Sequence, residues 1–132
     1  MRDLNGDQPA PTPSNRRPAW ELVQEYAQAV FPADVPVVQL VLHDMRERDQ
    51  LGRARYGVAL TADNGRDQLV DAYQEALDLA VHLMAYLDEH GINNPLDAAA
   101  VAMEGAAVRR VATLFVTHMS VIPLLRELIE DR

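Results

Sequence analysis

The stretch NGRDQLVDAYQEALDLAVHLMAYLDEHG, residues 64–91, decides how this chain is read. Asn64 followed three positions later by Asp67 has the order of a helix-capping box, with Asp in place of Glu, and neither Gly nor Pro interrupts the sequence from there until Gly91. A helix over this stretch would be the longest element, about 40 Å at 1.5 Å per residue. Outward from it the same period recurs. Pro18 suits a first helical turn, and Trp20, Leu22, Val23, Tyr26, Ala27 and Val30 follow at helical spacing until Pro32 ends the segment. Asp34 and Pro36 open a second helix through Val37, Leu40, Val41, Asp44 and Glu47 to Leu51, which stops near Gly52. Residues 52–63 read as a loop carrying Arg53, Arg55 and Tyr56. Beyond Gly91, Asn94 or Asp97 begins a last helical region through Val101, Val108, Leu114, Leu124 and Leu128, with Gly105 as a weak point and Pro123 as a kink. The expectation is an all-α fold of four helices.

Composition agrees with that expectation. Aromatic residues are 5 % of the 132, so Leu, Val and Ala must supply the packing, a mixture that favours helices. Residues 1–17, with Pro9, Pro11 and Pro13 among polar residues, read as a flexible arm, and residues 18–132 as one helical domain. Without cysteine there is no disulfide, thiolate metal site or cysteine nucleophile, and any metal must use oxygen or imidazole. No apolar run approaches the roughly 18 to 20 residues of a membrane helix, and no signal segment opens the chain, so a cytoplasmic location is expected, with no membrane partner. The net charge of -8 disfavours duplex nucleic acid as a partner, because a phosphate backbone rewards a basic surface.

The chemistry lies in the acids. Asp71, Glu75, Asp78 and His82 share one stripe of the long helix, and Glu75 has no basic residue three or four positions away. A solvated face explains such a stripe as well as a bound cation does. On the second helix, Asp44 falls on the side of Val37, Leu40, Val41 and Leu51 with Glu47 one turn on, where a carboxylate needs a partner, whether a metal or an arginine. Asp44 with Glu47, and Glu75 with Asp78, are thus two carboxylate pairs on successive helices. Together they suit the hard, oxygen-preferring chemistry of Mg²⁺ or Mn²⁺.

At these residues the chain resembles a known family. Glu75-Ala-Leu-Asp78 and the residues around it look like the E-x-x-D helix of the MazG-like all-α nucleoside triphosphate pyrophosphohydrolases, preceded there by an E-x-x-E helix. The resemblance covers roughly residues 37–89, and Arg55-Tyr56-Gly57 resembles small phage-type members. Asp44 stands where the family has Glu. The resemblance implies a four-helix, MazG-like bundle completed by oligomerisation into a dimer or tetramer. It also implies hydrolysis of (d)NTP to (d)NMP and pyrophosphate with Mg²⁺ or Mn²⁺, with dGTP a guess at the preferred substrate. Asp44, Glu47, Glu75 and Asp78 would be metal ligands, with Glu47 also orienting the attacking water and Asp71 and His82 supporting the ligands from behind. Arg53, Arg55 and Arg66, in or beside the loop between the two motifs, are expected either to hold phosphate oxygens or to serve only as solvated surface arginines. Two other readings stand beside this one: a non-catalytic helical adaptor or regulator whose acids are merely its solvated face, and a nucleic-acid binder using the arginines from 46 to 55.

Overall fold

The computed structural model describes residues 3–132, and among them the regular structure is entirely helical. The helices are α1 (Ala19–Val30), α2 (Pro36–Tyr56), α3 (Gln68–Glu89), α4 (Ala98–Ala102), α5 (Ala106–Met119) and α6 (Val121–Glu130). The chain divides into two compact units: residues 1–6 with 67–132, and residues 7–66.

In the first unit α3 packs against α5 and α6, and α4 against α5. Asp67 is the N-cap of α3, its Oδ1 accepting from the N–H groups of Leu69 (3.1 Å) and Val70 (3.2 Å). The cap therefore sits three residues after the Asn64 expected from sequence. At the other end Gly91 takes φ 78°, Ile92 N–H donates to Leu87 O and Gly91 N–H to Asp88 O, both at 2.9 Å. This is the Schellman arrangement. It folds Ile92 back onto Leu87 in a core completed by Val108 and Ala112. A second cluster joins Val70 and Ile129 to Leu4 of the N-terminal segment.

The last helical region is three helices rather than one. Gly105 separates α4 from α5, and α5 gives way to α6 at Ser120, three residues before Pro123. Proline lacks an N–H and its ring crowds the carbonyl four residues earlier, so its disruption falls about a turn upstream. The tract Ala106–Glu130 is long and apolar enough to cross a membrane by length and composition, with a mean hydropathy of 1.3 over its best 18 residues. The sequence expectation did not single out this tract, which is divided between α5 and α6 at Ser120. Val108, Ala112 and Ile129 of this tract are buried.

In the second unit α1 and α2 pack as a hairpin with Ala27 and Leu42 buried. Val35 is the N-cap of α2, without a side-chain cap bond, so Asp34 does not have the capping role expected of it. The helix runs through Gly52 to Tyr56 and ends where Gly57 adopts φ 72° and donates to Arg53 O at 2.8 Å. A helix that already has its hydrogen bonds on both sides tolerates one glycine at a cost of about 1 kcal/mol. The left-handed Gly57 is the true stop.

Residues 9–16 make hydrogen bonds to the residues that precede α3. Thr12 N–H donates to Asn64 O (2.8 Å), Ala19 N–H to Leu60 O (2.8 Å) and Arg66 Nη1 to Pro9 O (2.7 Å). Ser14 Oγ lies within hydrogen-bond reach of Thr61 Oγ1 (2.9 Å) and Ala62 O (2.7 Å), and Arg16 pairs with Asp63 at 2.7 Å. Within the arm expected over residues 1–17, residues 9–16 form a strap along residues 61–66 and Leu4 is part of the other unit's core, while residues 1 and 2 lie outside the described residues. Prolines already restrict this backbone, so ordering it costs less entropy than a composition argument assumes.

Candidate functional site

The four expected metal ligands lie on the two longest helices. Asp44 and Glu47 are on α2 in one unit, Glu75 and Asp78 on α3 in the other, and all four are exposed. The helical period accounts for each pair. On α2 the side that meets α1 carries Val38, Leu42 and Met45, which leaves Val37 (59 % exposed), Leu40 (62 %) and Leu51 (61 %) outward together with Asp44 and Glu47. The sequence reading placed burial on the side of Val37, Leu40 and Val41, whereas α1 covers the alternative apolar side. On α3 the buried side is Val70, Ala76 and Leu87, and Glu75, Asp78 and His82 lie away from it. Asp71 is half-buried near the start of the same stripe.

Among the described residues, Asp44, Glu47, Glu75 and Asp78 enter no ion pair, so neither Arg48 nor a loop arginine clamps Asp44. Nor do three or more Asp, Glu or His side chains among the described residues gather as a group able to hold a metal ion. The donor chemistry suits a hard divalent cation. Each pair alone falls short of the ligand number such a cation takes.

The expected phosphate-binding arginines are partly committed elsewhere. Arg53 and Arg55 lie in the last turn of α2 and not in a loop. Arg53 Nε donates to Asp49 Oδ1 at 2.9 Å, with Glu21 at 3.9 Å from its Nη2, and the Asp49 hydrogen bond raises its pKa. The Arg55 guanidinium lies 5.2 Å from the centre of the Tyr56 ring, a cation–π contact. Arg66 holds the strap through Pro9.

Two features went unseen in the sequence. His118 of α5 has its Nε2 2.6 Å from the carbonyl oxygen of Ala76, so that nitrogen donates to the main chain of α3 between Glu75 and Asp78. Its partner is a backbone atom 42 positions away, and no spacing rule reveals such a pair. Arg132 forms a two-pronged pair with Asp67, at 2.9 and 2.8 Å, tying the end of the chain to the cap of α3. The Arg132 hydrogen bonds, with help from the Val70 and Leu69 N–H groups and against some desolvation, hold the Asp67 carboxyl below its usual pKa.

Comparison with known proteins returns no matching family profile, no matching curated sequence and no matching solved structure.

Proposed function

We propose that this chain is a nucleoside triphosphate pyrophosphohydrolase of the MazG-like kind, dependent on Mg²⁺ or Mn²⁺ and acting on (d)NTP. The observation that carries the reading is the state of the four carboxylates. Asp44 and Glu47, and Glu75 and Asp78, are exposed pairs one turn apart on the two longest helices, without arginine partners among the described residues. Carboxylates left unpaired at helical spacing repel one another, and a divalent cation relieves that repulsion. The reading requires both pairs to serve the same ions. When bound, such an ion neutralises triphosphate charge and lowers the pKa of a coordinated water. Asp44, Glu47, Glu75 and Asp78 would hold such an ion, and Glu47 would also orient the attacking water. Asp71 and His82 support the α3 ligands, and Arg55, with Arg53 and Arg66 if they exchange their present partners, holds phosphate oxygens. A four-helix bundle completed by a dimer or tetramer in the cytoplasm belongs to the same proposal. So does the absence of membrane and duplex nucleic acid among its partners.

The test is a panel of common (d)NTPs, including dGTP, scored for pyrophosphate and monophosphate with Mg²⁺ or Mn²⁺. Turnover that disappears in Glu75→Gln and in Asp78→Asn supports the reading, and turnover intact in both defeats it. The second reading, a non-catalytic helical adaptor with a solvated acidic face, is favoured by one observation: no three metal-binding side chains gather among the described residues. It predicts no hydrolysis and no thermal stabilisation by Mn²⁺, where a true site would raise the midpoint through linkage.

A further inference from the structure

The hairpin of α1 and α2 holds a cleft of about 190 Å³ where one helix turns into the next. Phe31, Val38 and the buried Leu42 give it an apolar wall, and Gln28, Gln39 and Arg46 give it polar groups. Gln39 is fixed in place, because its Nε2 donates to the Ala33 carbonyl at 3.0 Å, which leaves its Oε1 as an acceptor. Arg46 enters no ion pair among the described residues, unlike Arg53 on the same helix, which Asp49 holds. Arg46 thus brings a guanidinium with no carboxylate partner among the described residues to a cleft that an aromatic ring and two amides also line, on a chain where acids outnumber bases 20 to 12.

This combination has a chemical counterpart. An aromatic ring stacks with a planar heterocycle, primary amides pair with the donors and acceptors along its edge, and a guanidinium takes an anionic oxygen. The volume is below the roughly 300 Å³ of a pocket for a drug-sized ligand, enough for a ring but not for a whole nucleotide. We propose that the α1–α2 cleft binds the base of a nucleotide, with Arg46 taking its 5′-phosphate. The proposal rests on the hydrolase reading only in choosing nucleotides among anionic heterocycles. All its residues lie in one unit, it uses none of the four carboxylates, and binding requires neither metal nor turnover.

The experiment is a titration of the full chain in EDTA with dTMP, dCMP, dGMP, dAMP and inorganic phosphate, followed through the side-chain amide signals of Gln28 and Gln39. At least one monophosphate is expected to bind and shift both signals, and the tightest names the base class. Arg46→Gln is expected to weaken that binding at least about tenfold, the scale of losing a hydrogen bond to a charged group, and Phe31→Leu to weaken it several-fold. Thermal melts of both variants show whether either effect is a folding defect, and a Gln39→Met variant gives an independent arm should Phe31→Leu unfold. No binding of any monophosphate at millimolar concentration would overturn the proposal. So would binding untouched by all three variants, or inorganic phosphate binding as tightly as the nucleotides. Glu75→Gln separates the two readings: it should abolish hydrolysis and leave this binding intact. Binding in a wild-type chain that hydrolyses nothing would refute the enzyme and keep the cleft.

Discussion

The two units of this chain are held by different physics. In the α3–α6 unit, Leu87 and Ile129 are completely buried, and Leu4, Val70, Ala76, Ile92, Val108 and Ala112 are nearly so. In the α1–α2 unit the buried apolar residues of the helices are Ala27 and Leu42, with Trp20, Val38 and Met45 half-buried, and strap hydrogen bonds and ion pairs add to them. Apolar burial contributes roughly 25 cal/mol per Å², whereas exposed ion pairs contribute about 0 to 1 kcal/mol each. Stability should therefore concentrate in α3–α6, and the hairpin that carries Asp44, Glu47 and the cleft should be the part that opens first. Binding elements are commonly drawn from the less stable end of a fold.

The largest effect expected is in the first unit. Leu87→Ala removes a fully buried side chain from the cluster with Ile92, Val108 and Ala112 and should cost about 2 to 5 kcal/mol in denaturant unfolding. Leu42→Ala, in the thinner hairpin core, should fall at or below the bottom of that range. If the two variants cost the same, the contrast between the units is wrong.

Next comes the cap of α3. Asp67→Ala removes the two N–H acceptor bonds and the Arg132 pair together, an expected loss of about 0.5 to 2 kcal/mol for the cap, with the partly exposed ion pair adding little. The folded carboxyl lies below its unfolded pKa of about 3.9, so its contribution is present above that pH and lost as pH falls through the folded value. Wild type should lose stability in acid more steeply than Asp67→Asn below about pH 4. Parallel pH curves would show that Arg132 does not hold the charge.

The smallest effect sharpens the comparison from the other side. The Arg17–Glu25 pair is fully exposed, although hydrogen bonding lowers the Glu25 pKa and raises that of Arg17. Arg17→Gln should leave the unfolding midpoint unchanged within error, and a measurable drop would mean that the hairpin depends on its ion pairs.

What could be read from the sequence was whatever repeats locally. The unbroken run to Gly91 gave α3, Pro18 and Pro32 bounded α1, and Gly105 marked a break. The face of α2 that would be buried was not legible, because Val38 and Leu42 compete with Val37, Leu40 and Val41, and only the position of α1 decides between them. The strap was not legible either, since its bonds join residues 9–16 to residues 61–66 through main-chain atoms that carry no residue signature. At the candidate site, the i, i+3 spacing put each carboxylate pair on one helical face, as the structure has it. Asp49 and Arg53 stand at i, i+4, a spacing that gives their pair only once the helix continues past Gly52, where the sequence reading ended it. Spacing gave no sign of the cleft, whose residues come from the end of α1, the turn and the first half of α2.

The most direct measurement is a Mn²⁺ binding cycle on the full chain, comparing wild type, Asp44→Asn, Glu75→Gln and the double variant. If carboxylates from α2 and α3 share ions, each single change weakens Mn²⁺ binding at least about tenfold and the double variant loses little more, because the second change removes a ligand from a site already broken. Losses that simply add, or Mn²⁺ binding that neither substitution alters, would contradict the account.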